Sequence, residues 1–163
     1  MDDFERELGS LLPRLRRFAR SLTHDSTDAD DLVQLSLERA LNARAQWQPG
    51  TRLDSWMYRI MKNGWIDETR ARARRARTFA PPEAGEGVGV DERPAVEARI
   101  DVGHVGRAMA QLPDEQRLAV ALVLVEGLSY KEAAEVLDVP MGTLTSRLVR
   151  GRQALMAQLG EAA

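Results

Sequence analysis

Apolar residues recur at three- and four-residue steps along nearly the whole chain, and no alternating run of useful length interrupts them, so the pattern predicts helices and no sheet. The first helix spans about 4–22, with Leu8, Leu11, Leu12, Leu15, Phe18 and Leu22 on its apolar side. Pro13 marks either a kink there or the first turn of a helix. Turn and N-cap residues crowd into Thr23-His24-Asp25-Ser26-Thr27-Asp28. A second helix over 29–46 offers Leu32, Leu35, Ala40, Leu41 and Ala43 to the core. Gln48-Pro49-Gly50-Thr51 ends it. The third runs from 53 toward 77, with Leu53, Trp56, Met57, Ile60 and Gly64 as its buried face.

Residues 78–95 differ in kind. Pro81, Pro82, Pro94, Gly85, Gly87 and Gly89 stand among acidic side chains, a composition that buries too little apolar surface to offset the entropy of ordering it. Helical periodicity then returns over 96–111, 114–126, 129–137 and 141–159. The predicted fold is all-α: two small helical domains, 1–77 and 96–163, joined by a flexible acidic linker, the second containing a helix-turn-helix. No similar segment recurs, which argues against a helical repeat.

Composition removes whole classes of function. With 163 residues, 44% hydrophobic and 29% charged, the chain is neither a disordered tail nor a membrane protein. Its longest apolar run, 118–125, falls far short of the roughly 18 residues of a spanning helix. The first residues are acidic where a secretory signal is basic, so the expected location is the cytoplasm, without membrane insertion. Zero cysteines exclude thiolate metal sites and cysteine nucleophiles. His24 and His104 are isolated, and the glycines of the linker open no helix that would cradle phosphate. No catalysis, metal, cofactor or small-molecule substrate is expected.

The net charge of −2 hides an uneven distribution. Residues 1–77 carry 15 basic and 12 acidic side chains, whereas 78–104 carry 2 and 6. Arg70, Arg72, Arg74, Arg75 and Arg77 crowd together, as do Arg147, Arg150 and Arg152. Local field steers a polyanion more than total charge does, so DNA remains a compatible partner.

In the second half, Ser129-Tyr130-Lys131-Glu132 fits a capping box. Ala133 and Ala134 are small enough for a close helix crossing, and Leu137-Asp138-Val139-Pro140 breaks the chain before a final helix. That arrangement is a helix-turn-helix. Leu144, Leu148, Leu155 and Leu159 form the docking stripe of the last helix. Thr143, Ser146, Arg147 and Arg150 share the opposite one, with hydroxyls and guanidinium groups suited to phosphates and guanine edges. An amphipathic helix with a solvated basic face is the plainer alternative.

The third helix interleaves aromatic and basic residues. Tyr58, Lys62 and Trp65 share one side, as a stacking platform for unpaired bases would require, and Asn63, Asp67, Arg70, Arg74 and Arg77 form an adjoining stripe. Against this, the tryptophans equally suit the core and the arginines a solvated helix end. Asp30, Asp31 and Gln34 make an acidic patch that suits a protein partner better than DNA, although carboxylates in a first helical turn also favour the helix dipole.

These residues resemble a known family. Asp30-Asp31-Leu32-Val33-Gln34 followed by Leu53-Asp54-Ser55-Trp56-Met57-Tyr58-Arg59-Ile60-Met61-Lys62-Asn63 is similar to the promoter-melting domain of bacterial sigma factors. Leu112-Pro113-Asp114-Glu115-Gln116-Arg117, Glu126-Gly127-Leu128-Ser129-Tyr130-Lys131-Glu132-Ala133-Ala134 and Gly142-Thr143-Leu144-Thr145-Ser146-Arg147-Leu148 are similar to its carboxy-terminal domain. Having only two domains, the chain most resembles the extracytoplasmic-function (ECF) group. The resemblance implies that Asp30, Asp31, Leu32 and Gln34 dock on core RNA polymerase. It implies that Asn63 and the loop from Trp47 to Arg52 capture a flipped −10 base, in promoter DNA also met by Lys62 and Trp65. Arg70 and Arg74 would hold the flanking duplex, Thr143, Ser146, Arg147 and Arg150 would face the −35 element, and an anti-sigma factor would restrain the whole. Thr145 stands where the family often has lysine or arginine. Two alternatives are a stand-alone helix-turn-helix regulator and a sigma-like decoy that binds an anti-sigma factor.

Overall fold

The computed structural model describes residues 1–79 and 100–162. Most of the expected linker, 80–95, lies outside the described residues. Among the described residues, eight α-helices account for the fold: α1 (Asp3–Ser10), α2 (Leu12–Thr23), α3 (Ser26–Asn42), α4 (Leu53–Phe79), α5 (Ile100–Ala110), α6 (Asp114–Val120), α7 (Tyr130–Leu137) and α8 (Met141–Ala162). No strand occurs among them.

The expected first helix is two. Pro13 lies in the opening turn of α2, where its missing N–H costs nothing, and Leu11 separates the pair. Asp2 and Glu5 form a capping box that starts α1, and the Asp25 carboxylate accepts the Asp28 N–H to start α3. His24 takes the left-handed conformation that closes α2, allowing a sharp turn into α3. Residues 44–46 form a 3₁₀ turn rather than continuing the second helix.

The buried face of α3 is Ala29, Leu32, Val33, Ser36 and Ala40, while Leu35 and Leu41 remain 37% and 43% exposed, contrary to the expected core. On α4 the interior contains Leu53, Met57, Tyr58, Met61 and Trp65, with Trp56 and Ile60 only half-buried. The reason is that α4 is covered twice. One side meets α2 and α3, and the other meets α7. The expected buried face and the Tyr58–Lys62–Trp65 stripe are therefore both wholly or partly inside.

In the second half, α6 passes into a turn over 121–125 in which the Glu126 N–H donates to the Ala121 carbonyl, five residues back. Such a π-type turn rotates the residues after it relative to an α-helix. Helix α7 starts on the Ser129–Glu132 capping box, with both hydrogen bonds formed. It ends at Asp138, in the left-handed conformation, and α8 begins at Met141. Ala133 and Ala134 are buried at this junction. Gly151 permits α8 to lie on α6: an added Cβ would come 2.9 Å from the Val120 Cγ2 and 3.3 Å from the Gln116 carbonyl oxygen.

The two halves share one continuous core, with α2 touching α5, α6 and the π-type turn. Arg117 helps join them. Its Nη1 donates to the Leu22 carbonyl at 2.7 Å, its Nη2 donates to the Leu112 and Ala110 carbonyls at 2.9 and 3.1 Å, and its guanidinium lies over the Trp65 ring. Burial pushes the Arg117 pKa down and nearby Asp114 opposes that.

Candidate nucleic-acid interface

Two surfaces carry the residues singled out by the sequence. On α8, Thr143, Ser146, Arg147 and Arg150 are drawn together as expected, lining one open groove with Glu115, Gln116 and Gly142. Leu144 and Leu148 hold the opposite side of the helix in the core. Arg147 stands 3.7 Å from the mostly exposed Glu115, a loose pair of the kind that contributes little. Thr145 donates its hydroxyl to the Met141 carbonyl at 2.9 Å and so commits it to its own helix.

On α4 the two adjoining stripes separate. Asn63, Asp67, Arg70, Arg74 and Arg77 are exposed. Arg72 instead binds Glu68 at 2.9 Å and Asp28 at 3.1 Å, and Arg75 leans toward Glu68. The other stripe is closed. Trp65 is 4% exposed, Lys62 is 9% exposed, and Tyr58 is wholly buried with its ring edge-on to Phe18 at 5.0 Å. An open stacking platform is thus absent from this arrangement, because α7 and Arg117 lie over it. Burial lowers the Lys62 pKa, Arg59 lowers it further, and Asp138 acts in the opposite direction.

The loop expected to work with Asn63 is also engaged. Trp47 packs on Phe4 with ring centres 5.6 Å apart, and its Nε1 is buried without a partner among the described residues. Arg52 binds Asp54 at 2.7 and 3.1 Å and also pairs with Glu132. Burial raises the Asp54 pKa, but hydrogen bonds from Arg52 and Arg14 more than reverse this and hold it below the ordinary carboxylate value. Asn63 lies ten positions beyond the start of α4, about 15 Å along the axis, so the structure does not bring it into one tight pocket with the loop.

Asp30, Asp31 and Gln34 are exposed side by side on α3. Leu32 is a correction: it points inward against Gly64, where an added Cβ would meet the Leu32 Cδ1 at 3.5 Å. The neighbouring exposed apolar side chain is Leu35, which with Asp31, Trp65 and Arg117 lines a hollow of about 280 Å³.

Sequence reasoning missed one cluster entirely. The Glu126 side chain has no solvent exposure and accepts three hydrogen bonds from the first half: Arg17 Nε and Nη2, both at 2.9 Å, and the Tyr58 hydroxyl at 2.7 Å. Burial pushes the Tyr58 pKa up, the Glu126 contact pushes it further, and Arg14 opposes both, so the hydroxyl remains a donor at neutral pH. Nothing in the helical period of 114–126 announces this carboxylate; the π-type turn aims it.

Known proteins share this fold. Residues 8–62 match the family described as the Sigma2 domain of PhyR, and residues 104–155 match Sigma-70, region 4. The ECF RNA polymerase sigma factor EcfG of Rhodopseudomonas palustris is 33% identical over 97% of this chain and 86% of its own length. The chain belongs to the ECF RNA polymerase sigma factors. SigM of Mycobacterium tuberculosis, another ECF sigma factor, is 36% identical over 90% of the chain and 72% of its own. The solved structure of the sigma factor RpoE with the anti-sigma factor NepR, from Bartonella quintana, matches with a TM-score of 0.83 and 31% identity, covering 98% of each chain. The all-helical, two-part reading and the family assignment therefore hold for this ECF sigma factor. Among the described residues, no helix is long and apolar enough to cross a membrane.

Proposed function

We propose that this ECF sigma factor binds core RNA polymerase and directs it to promoter DNA, recognising a −35 element through α8 and opening the −10 element with α4. The α8 groove carries this reading: four side chains spaced for phosphate and base-edge contacts share one open surface while the apolar side of the same helix is fixed in the core. The melting domain comprises residues 1–77 and the helix-turn-helix domain residues 96–163. Exposed Asp30, Asp31 and Gln34 form the polymerase contact, with Leu35 beside them. Asn63, Arg70 and Arg74 meet the −10 region, with Trp47, Arg52, Lys62 and Trp65 supporting them once the halves part. An anti-sigma factor holds the protein in the cytoplasm, as NepR binds RpoE in the similar structure. The protein itself catalyses nothing.

Promoter-specific transcription by purified core polymerase plus this chain tests the reading; failure to bind the polymerase or to initiate at any site refutes it. A second reading is a decoy that engages an anti-sigma factor alone: residues 8–62 match the Sigma2 domain of PhyR, and a solved structure from Bartonella quintana shows PhyR as an anti-anti-sigma factor in complex with the anti-sigma factor NepR. The decoy would show that binding and support no initiation. Both arginine-bearing faces, which a decoy does not need, favour the first reading. Arg147→Ala is expected to weaken upstream recognition by about 1–3 kcal/mol at one base position, measured by binding to a panel of substituted −35 sequences. A uniform loss across the panel would instead make Arg147 a phosphate contact.

A further inference from the structure

Among the described residues that line the α8 groove, Glu115 is the one acid. It lies in the first turn of α6, its side chain 70% exposed and its carboxylate 3.7 Å from the Arg147 guanidinium. An exposed pair at that distance adds little to folding. Against a phosphate backbone a carboxylate is a liability, because like charge opposes the attraction that the arginines supply. Neither stability nor phosphate binding accounts for an acid at this place, but base edges do. In the major groove guanine presents two acceptors, N7 and O6, and the cytosine paired with it presents a donor, its N4 amino group. A guanidinium fork with a carboxylate beside it offers the complement, two donors and then an acceptor. We propose that Glu115 is a specificity-determining residue of the −35 contact. Its carboxylate accepts from the N4 amino group of a cytosine while Arg147 donates to the paired guanine, so that α6 and α8 read one G·C pair together.

The backbone holds the two side chains in register. Gly151 lies one helical turn beyond Arg147, where α8 rests on α6. An added Cβ there would stand 3.2 Å from the Gln116 Cβ, so the glycine brings the helices together directly beside Glu115. From behind, Arg117 ties α6 to the end of α5 and the turn after it, donating to the Ala110 and Leu112 carbonyls at 3.1 and 2.9 Å. Arg147 is held against the groove with its side chain 27% exposed, whereas Arg150 stands further out, as a backbone contact requires. Asp114, the preceding acid on α6, lines the hollow with Asp31, Leu35 and Trp65 instead. It therefore supplies a control of equal charge outside the groove. Both acids are more than half exposed, so replacing either leaves the core intact.

This inference rests on the promoter-binding reading and is tested on the holoenzyme, core polymerase with this chain. Selection from promoters with a randomised −35 region, then binding to single-pair substitutions, defines the pair that Arg147 reads. Glu115→Ala is expected to lower the preference for G·C at that pair by about tenfold and to leave the other positions unchanged. Asp114→Ala is expected to leave every preference unchanged. Replacing the cytosine by 2-pyrimidinone, which lacks the N4 amino group, is expected to weaken binding of the parent more than that of Glu115→Ala. In an Arg147→Ala background the effect of Glu115→Ala at the cytosine is expected to persist. Uniformly tighter binding of all sequences by Glu115→Ala would reduce the carboxylate to a repulsion of phosphates and overturn the proposal. Equal sensitivity of parent and variant to 2-pyrimidinone, with no Glu115 effect once Arg147 is gone, would also overturn it, leaving Glu115 as a positioning residue for Arg147. A parent holoenzyme that selects no upstream sequence would overturn the promoter reading itself, an outcome distinct from both.

Discussion

Asn63→Ala is expected to reduce open-complex formation by about ten- to a hundredfold while the variant still co-elutes with core polymerase. Extruding a base costs a few kcal/mol of stacking and pairing, which the protein must offset by capturing it. An asparagine amide that bonds a base edge supplies about 1–3 kcal/mol, and each ~1.4 kcal/mol is a factor of ten. Asn63 is exposed on α4 beside Arg70 and Arg74, and its side chain contributes nothing to the core, so the loss falls on DNA opening rather than on folding. Permanganate reactivity of unpaired thymines measures it directly. Wild-type reactivity with Asn63→Ala would remove that residue from the melting site. The patch proposed to bind polymerase lies on a different helix, α3, so the two activities are expected to separate in this variant.

Phe18→Ala is expected to destabilise the fold by about 3–5 kcal/mol, enough to lower Tm by about 6–20 °C for a chain of this size. Phe18 is fully buried, and Tyr58 stands edge-on to it at 5.0 Å, so truncation removes both a large apolar surface and a favourable ring contact. The cavity would open beneath the hydroxyl that reaches Glu126, at a point where α2 meets both α4 and the π-type turn. Met156→Ala, on the exposed side of α8, provides the contrast and should change Tm little. Circular dichroism melts of the two variants beside the parent measure both. A parent-like Tm for Phe18→Ala would mean that the Phe18–Tyr58 packing adds little to the core.

Helix type and most helix positions were legible because apolar spacing at about 3.6 residues leaves a strong imprint, and because caps such as Ser129–Glu132 use side chains next to the backbone groups they satisfy. The α8 groove was legible for the same reason: one helix, one turn and one periodic stripe determine it. The breaks were harder. Pro13 was compatible with a kink or a new helix, and the left-handed residues His24 and Asp138 carry no glycine to announce the turns they make. The α4 stripes misled because periodicity reports that a face is special without saying what covers it. Aromatic and basic residues beside one another suit a base-stacking platform in isolation. Here the same Tyr58, Lys62 and Trp65 lie under α7 and Arg117, a long-range fact that no local pattern encodes. Leu32 belonged to two readings at once, docking and core, and burial assigns it to the second.

The five-residue backbone bond between Ala121 and Glu126 amounts to one surplus residue wound into an otherwise ordinary helix. Rewinding 121–126 as regular α-helix with no residue lost would swing position 126 about a quarter of a revolution around its axis. Tyr58 and Arg17 would then face an empty place with every side chain of the cluster still encoded. The winding of one helical turn, and no change of side chain, thus decides whether the two halves meet at position 126.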